Sequence, residues 1–274
     1  MYRHLLSIAA AMSLLCTAAA STPAEAQDNR AAAREVVQRW QSAVVNVRVV
    51  LKMRMSMAGR EMQSSDDPVD AVGTVIDPSG LTVLSLGALN PGALMSKIMG
   101  SGGGTNGEPS VEITSEPTDV KIRLADGQEL PARIVLRDED LDLAFLRPTR
   151  KLEKPLVAID LKDAASPVLL DQVLVLTRLG RVGGWTAGAS LHDVSAIISK
   201  PRTFYVLGGS VSGMGTPAFT TSGRVVGLLT LRQIDAGRPG MASMMGGAEG
   251  LGMLGVILPA ADVLEIARQA TDKP

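Results

Sequence analysis

Residues 208–228 read GGSVSGMGTPAFTTSGRVVGL and form the most regular stretch of the chain. Within it, Pro217 to Thr220 predicts a short strand, residues 221–224 a turn, and Val225 to Leu229 a second strand. Gly223 stands at the third turn position, where a positive φ favours glycine, and β-branched residues suit the strands on either side. The stretch therefore predicts a hairpin that follows a glycine-rich loop.

The same order of strand, turn and strand recurs twice in the first half of the chain. Residues 72–84 (VGTVIDPSGLTVL) place Pro78 and Gly80 in a turn between two apolar runs. Residues 120–135 (VKIRLADGQELPARIV) alternate on both sides of Asp126-Gly127, a strong hairpin signal. These segments predict two further antiparallel strand pairs.

The rest of the chain predicts further strands, loops and two helices, with strands in the second half over residues 172–177, 192–199, 204–207 and 251–259. Residues 43–57 alternate between apolar and polar side chains, which predicts a long strand. Residues 59–70 are polar and residues 90–116 are rich in glycine and small polar side chains, so both are expected to be loops. Helical periodicity is confined to residues 31–40 and 260–270. Many short strands with helices only at the ends favour an all-β architecture of two barrels.

Composition and charge exclude several classes of protein. The chain has 274 residues, of which 46% are hydrophobic, so it can bury a substantial core. A net charge of −1 argues against non-specific binding of nucleic acid, which requires a basic surface. Cys16 is the only cysteine, so no disulfide or cysteine metal site is expected, and no metal or cofactor is predicted.

The N-terminus has the pattern of a secretory signal peptide. Arg3 and His4 precede an apolar run over residues 5–16, which is too short for a membrane span, and Ala24-Glu25-Ala26 offers a cleavage site. Cleavage is expected after Ala26, which predicts a periplasmic or secreted protein. The predicted division is a signal peptide over 1–26, an N-terminal helix or extension over 27–42, a first β-barrel over 43–150, and a second β-barrel with a C-terminal helix over 151–274.

Four of these segments resemble trypsin-like serine proteases of the HtrA/Deg type. Residues 208–228 are similar to the family pattern GNSGGPLVNxxGxVVGI, and residues 72–84 to the start of GSGVIIDPDGYILTNNHVV. Residues 120–147 resemble xVxLxDGRxxxAxVxGxDxxxDLAVLK, and residues 251–259 resemble GIGFAIP. The resemblance extends over about residues 43–270 and implies a chymotrypsin-like fold of two six-stranded β-barrels. The PDZ modules usually attached to the family are not expected in this chain.

In this resemblance the three catalytic positions fall on Gly87, Asp142 and Met214. Glycine has no imidazole and a thioether cannot attack a carbonyl, so the general base and the nucleophile are both replaced. No catalytic residue is therefore expected, and Asp142 is interpreted as an acceptor for backbone N–H groups. His192 and Asp193 alternate along a predicted strand, so their side chains are expected on opposite faces rather than in a catalytic dyad.

The binding site is expected in the remnant of the oxyanion loop, which consists of Gly213, Met214, Gly215 and Thr216. The backbone N–H groups of such a loop act through their conformation, and Thr216 replaces a glycine of the family pattern. The alternative is that these glycines only form turns. Ser210 and Ser212 are interpreted as loop hydroxyls, because using either as the nucleophile would shift the next strand out of register.

Methionine forms two clusters along the chain. They are Met53, Met55, Met57 and Met62 in the first half, and Met241, Met244, Met245 and Met253 in the second. Thioethers are ligands for Cu(I), so a copper-binding protein is one hypothesis. The other interpretation places the first three on the core face of the long strand and gives the rest gap-filling or surface positions. A groove lined by methionine would also suit adaptable binding of apolar peptides.

The expected function is that of an exported, catalytically inactive trypsin-like domain that binds a protein or peptide partner. The alternatives are an active serine endopeptidase with an unorthodox site and a methionine-rich Cu(I)-binding protein. Nucleic acid is not expected as a partner, and no membrane span is expected. A homo-oligomer is compatible with the resemblance, because trimers are common in the family.

Overall fold

The computed structural model describes residues 23–57, 60–91, 111–209, 213–233 and 253–270. Two helices, α1 (Pro23–Trp40) and α2 (Ala260–Ala267), flank the strands. The first six strands are β1 (Val44–Met57), β2 (Arg60–Val75), β3 (Thr82–Ser85), β4 (Val111–Arg123), β5 (Glu129–Asp138) and β6 (Leu143–Pro148). The next six are β7 (Gln172–Arg178), β8 (Ala187–Ile198), β9 (Phe204–Leu207), β10 (Pro217–Thr220), β11 (Val225–Gln233) and β12 (Met253–Pro259).

The strands close into two antiparallel barrels of six strands each. The first barrel runs in the order β1-β2-β3-β6-β5-β4, and the second in the order β10-β11-β12-β9-β8-β7. Alternation along the strands builds each core, since successive side chains point to opposite sides of a sheet. On β1, for example, Val45, Val47, Val49 and Leu51 are all fully buried in the first barrel. The all-β double barrel predicted from the sequence is confirmed.

The predicted hairpin turns are present. Gly223 has a φ of +89° and its N–H donates to the Thr220 carbonyl over 2.9 Å, which closes the turn between β10 and β11. The turn at Asp126-Gly127 joins β4 to β5, with the Gly127 N–H donating to the Leu124 carbonyl over 3.0 Å. Both turns contain glycine, which tolerates a positive φ. The local sequence pattern was therefore enough to locate them.

Two segments predicted to be loops are strands. Residues 60–70 belong to β2, which pairs antiparallel with β1 from Val44↔Thr74 to Met57↔Arg60, with one register shift between Met55 and Ser56. Residues 111–116 belong to β4, which pairs with the other edge of β1. Most of the side chains that the structure describes in these segments are exposed and polar, so no apolar alternation marks them. Backbone pairing to the long β1 holds them extended instead, as strand preference depends strongly on context.

The extension of β1 beyond the core also changes the interpretation of its methionines. Met53 is half-buried and packs against the first barrel, as predicted, but Met55 is 39% exposed and does not line the core. Met62 on β2 is 65% exposed. The side chains of Met57 and Met253 and the residues Met241, Met244 and Met245 lie outside the described part of the chain.

The helices pack on the second barrel at both ends of the chain. α1 begins at Pro23, eight residues before the predicted start, and the predicted cleavage site after Ala26 falls within it. Residues 1–22 of the predicted signal peptide lie outside the described residues. Trp40 at the end of α1 stacks on Phe219 of β10, with ring centroids 6.3 Å apart. α2 ends at Ala267, three residues earlier than predicted. Of the helices that the structure describes, neither is long and apolar enough to cross a membrane.

Candidate functional site

The site is built around Asp142, which directly precedes β6. Its φ of +57° places it in the left-handed region, and its carbonyl accepts a hydrogen bond from the Leu86 N–H over 3.0 Å. The preceding turn is fixed by Asp138, whose carboxylate accepts the Leu141 N–H over 2.9 Å. This turn directs the Asp142 side chain toward the segment that follows β3.

The Asp142 carboxylate is bonded by groups from both barrels. Its Oδ1 accepts the Gly87 N–H over 2.7 Å, and its Oδ2 accepts the Ser85 hydroxyl over 2.6 Å. The Leu231 N–H on β11 donates to Oδ2 over a longer distance of 3.5 Å. Asp142 therefore accepts backbone N–H groups, as its sequence position predicted, and also one side-chain hydroxyl.

The electrostatic environment of Asp142 is a balance of burial and hydrogen bonding. Burial raises the pKa of the Asp142 carboxyl above its ordinary value, and this outweighs the hydrogen bonds from Ser85, Gly87 and Leu231, which favour the charged form. The positive charge of Arg232 on β11 also favours the charged form. The Arg232 guanidinium donates to the Asp140 carbonyl and lies 4.8 Å from the centroid of the Phe204 ring.

Gly87 lies in a short 3₁₀ turn after β3, with its Cα facing Asp142. A Cβ on Gly87 would be 3.4 Å from Asp142 Oδ1 and 3.6 Å from Ser85 Oγ, which are ordinary contact distances. A side chain at this position would therefore project toward the carboxylate. The structure thus brings together two of the residues that the sequence placed at catalytic positions.

Met214 lies in the turn before β10 and is half-buried. Its side chain packs against the core of the second barrel, and its terminal methyl is 3.4 Å from where a Cβ on Gly255 of β12 would lie. A thioether carries no proton to lose and cannot serve as an acyl acceptor. At this position Met214 offers apolar contact surface rather than a nucleophile.

The loop that holds Met214 is clamped between the two barrels. The Thr74 hydroxyl of β2 donates to the Gly215 carbonyl over 2.8 Å, and the Gly215 N–H donates to the Leu229 carbonyl over 2.7 Å. Gly215 has a φ of +86°, and a Cβ there would lie 2.9 Å from the backbone nitrogen of Ser85. Only glycine fits so close a contact, so this loop has one position relative to the end of β3.

The other candidate residues make no described hydrogen bond to the Asp142 carboxylate. Gly213 closes the turn by accepting the Thr216 N–H over 3.2 Å, and Thr216 is fully buried. Ser210 and Ser212 lie outside the described residues. The His192 ring is 2.8 Å from the Ser190 hydroxyl through Nε2 and 3.1 Å from the Gly208 carbonyl through Nδ1.

Asp193 is exposed and makes no described hydrogen bond to the His192 ring. This agrees with the predicted alternation of the two side chains along a strand.

Sequence reasoning missed two partners of Asp142. Ser85 had a weak signal, because it ends the strand β3 only two residues before Gly87, the position aligned with the base. The Leu231 N–H had none, since any residue of β11 offers a backbone donor. Its role depends only on how close β11 comes to the turn before β6.

Comparison with known families agrees with this geometry. Residues 71–228 match the family model described as a trypsin-like peptidase domain, and this span includes Gly87, Asp142 and Met214. Comparison with curated proteins finds no match. The family match covers more than half of the chain and falls on the described double barrel. The chain belongs to the trypsin-like peptidase domain family.

Proposed function

We propose that this protein is an exported, catalytically inactive trypsin-like domain of the HtrA type that binds a protein or peptide partner without cutting it. The surroundings of Asp142 carry the proposal. The carboxylate that would orient a histidine in an active member accepts the Ser85 hydroxyl over 2.6 Å and the Gly87 N–H over 2.7 Å. Gly87 stands at the predicted position of the base, and glycine has no side chain that could accept a proton.

Acyl transfer needs a nucleophile and a base within hydrogen-bond reach of each other. Met214 supplies no hydroxyl or thiol, and the one histidine among the described residues, His192, contacts Ser190 and Gly208. The remaining histidine of the sequence, His4, belongs to the predicted signal peptide. These features support a binding role for the family's cleft in place of hydrolysis.

The retained frame supports the binding role. The Gly215 loop is held by the Thr74 hydroxyl and packs closely against Ser85, so the loop that we assign to partner binding is ordered before a partner binds. Met214 presents a thioether beside that loop, and flexible thioethers suit contact with varied apolar side chains. The small-x-small motif after an apolar run supports export.

The first test is labelling of the purified protein with a fluorophosphonate probe, followed by mass spectrometry to locate any adduct. We expect no adduct on the natural chain. The matched control is Gly87→His with Met214→Ser, which restores a base and a nucleophile where the space beside Asp142 admits a side chain. Met214→Ser alone supplies a hydroxyl without a base and should label poorly. An adduct on Ser210 or Ser212 of the natural chain would support the unorthodox endopeptidase instead.

The same preparation is incubated with a library of unstructured peptides to test binding. Retained peptides should be recovered uncut, and Met214→Asp should reduce their retention because it places a charge in the apolar part of the cleft. Met62→Asp makes the same change on the exposed face of β2 and should leave retention unchanged. Equal retention by both variants would reject the cleft as the binding site, and cleaved peptides would reject inactivity.

A further inference from the structure

Gly87 leaves a space beside the Asp142 carboxylate that can be reached from outside the protein. Apart from its chain neighbours, a Cβ on Gly87 would have two described atoms within 4 Å: Asp142 Oδ1 at 3.4 Å and Ser85 Oγ at 3.6 Å. Both are polar atoms at ordinary contact distances, so hydrogen-bonding groups rather than apolar packing border this space. Gly87 and Asp142 are each partly exposed, so a group carried by a second molecule has access to it.

The Asp142 carboxylate has capacity for one more donor. A carboxylate offers about four acceptor positions on its two oxygens. Among the described residues, the Gly87 N–H occupies one position on Oδ1, while the Ser85 hydroxyl and the more distant Leu231 N–H occupy Oδ2. A position is therefore left on Oδ1, the oxygen that borders the space. Burial raises the pKa of this carboxyl, so a donor that stabilises its charged form offsets part of that cost.

A neighbouring charge selects the kind of donor. The positive charge of Arg232 on β11 acts on Asp142, and the Arg232 guanidinium donates to the Asp140 carbonyl. A second ammonium or guanidinium brought to the carboxylate would be repelled by Arg232. A neutral imidazole avoids this repulsion, because its single N–H is a donor without a positive charge. An imidazole N–H also commonly donates to a carboxylate, which fixes the orientation of the ring.

The imidazole has to come from another molecule. His192 is the histidine among the described residues, and its ring contacts the Ser190 hydroxyl and the Gly208 carbonyl. A protein or peptide partner carries imidazole in its own histidine side chains. The chemistry of the space and the proposed binding function thus indicate the same kind of ligand.

We propose that the space beside Gly87 binds the imidazole ring of a histidine side chain of the partner, whose ring N–H donates to Asp142 Oδ1. This inference rests on the proposed function and names the partner residue that the cleft recognises. No acyl transfer follows from it, because Met214 at the aligned position of the nucleophile has no hydroxyl or thiol. A hydrogen bond to an ionised carboxylate is one of the stronger kinds, so the histidine should contribute clearly to affinity.

Titration of the full chain with free imidazole at about pH 8, where the ring is mostly neutral, tests the space by itself. The readout is the chemical shift of the Gly87 amide in nitrogen–proton correlation NMR spectra, because this amide is bonded to the same carboxylate oxygen. We expect a saturable shift. N-methylimidazole has no N–H when it is neutral, so it should bind about tenfold more weakly or not at all.

Two leucine substitutions separate this space from a nonspecific response. Gly87→Leu fills the space with an apolar side chain and should abolish the saturable shift of the amide at position 87. Gly180→Leu adds the same side chain in the exposed loop after β7, where a Cβ would meet no atom within 4 Å. It should change imidazole affinity by less than about twofold. Circular dichroism melting verifies that both variants are folded. An unsaturable shift in the natural chain, or equal responses of the two variants, would overturn the site.

The peptides recovered in the binding experiment test histidine itself. Histidine should be enriched among them, and replacing it with alanine in a recovered peptide should weaken binding by about tenfold. Gly87→His should remove this preference, because its own ring then occupies the space. Equal affinity of the natural chain for both peptides would overturn the role of histidine and leave partner binding intact. If no peptide is retained, partner binding itself is rejected, and the imidazole titration alone decides whether the space is a site.

Discussion

Among single residues, Asp142 illustrates how a carboxylate's role depends on its immediate neighbours. In an active family member this carboxylate would orient an imidazole, but here a hydroxyl and two backbone amides surround it. Those contacts connect the end of β3, the start of β6 and the middle of β11. Burial raises the pKa of the Asp142 carboxyl because it disfavours the charged form. The contribution of Asp142 to the free energy of unfolding therefore depends on pH.

Asp142→Asn should therefore change how stability depends on pH. The folded pKa of Asp142 lies above its ordinary value of 3.8, so between these two values the folded state keeps a proton that the unfolded state has lost. The stability from this group is present below the unfolded pKa and is lost as pH rises through the folded pKa. Relative to the natural protein, the variant's free energy of unfolding should rise as pH increases from about 4 through the folded pKa of Asp142. Urea denaturation at several pH values measures the difference.

Asp77→Asn is the control for that comparison. The hydrogen bond from the Ser79 side chain lowers the pKa of Asp77, so the stability it contributes is present above the unfolded pKa of 3.8 and is lost only at more acidic pH. The difference in free energy of unfolding between Asp77→Asn and the natural protein should thus change mainly below about pH 4. If the difference in free energy of unfolding between Asp142→Asn and the natural protein stays constant above about pH 4, the raised pKa of Asp142 is contradicted.

Among the elements, β11 and β12 come unusually close at Gly227. A Cβ on Gly227 would lie 1.9 Å from the Leu258 carbonyl oxygen, far inside contact distance. This close approach places β11 beside β12, from which α2 continues directly. The same strand carries the Leu231 N–H to Asp142. The missing side chain of Gly227 thus allows β11, the strand that contacts Asp142, to lie this close to β12.

Gly227→Ala should destabilise the protein by about 2 to 3 kcal/mol, because the added methyl forces β11 and β12 apart. Gly180→Ala is the matched control: it adds the same methyl in the loop after β7, where a Cβ would meet no atom within 4 Å. Its free energy of unfolding should change by less than about 0.5 kcal/mol. Chemical denaturation of both variants measures the two values, and equal losses would disprove the steric explanation.

In the whole molecule, the two barrels are joined by polar contacts as well as by apolar packing. Arg178 of β7 is buried and donates to the Val44 and Gln41 carbonyls over 2.7 Å each, and to the Trp185 carbonyl over 2.9 Å. Burial lowers the pKa of its guanidinium. No ion pair to Arg178 occurs among the described residues. Three backbone carbonyls therefore take the place of a carboxylate.

Arg178→Met should destabilise the fold by about 3 kcal/mol, because the buried Val44 carbonyl and the part-buried Gln41 and Trp185 carbonyls lose their donor at once. Arg178→Lys should recover only part of the loss, since one ammonium group cannot reach three carbonyls spread around a planar guanidinium. Arg181→Met, at an exposed position three residues later, should have little effect. Denaturation midpoints compare the three variants, and a loss for Arg178→Met no larger than for Arg181→Met would show that Arg178 does not stabilise the contact between the barrels.

The sequence alone determined the class of fold, and its resemblance to the family predicted which residues stand at the three catalytic positions. Alternation over residues 43–57 and turn residues such as Gly223 are local signals, so they located strands and hairpins that the structure confirms. The family resemblance aligned Gly87 and Met214 with the base and the nucleophile. The residue types alone show that glycine has no imidazole and that methionine has no hydroxyl or thiol. The loop predicted over residues 59–70 is wrong for residues 60–70, because their extended shape comes from pairing with β1 rather than from their own side chains.

Only the tertiary structure decided how those positions are connected. Ser85 meets Asp142 across 57 residues, Leu231 meets it across 89, and Thr74 meets Gly215 across 141. Such contacts depend on closure of both barrels and on their packing against each other, which local periodicity does not encode.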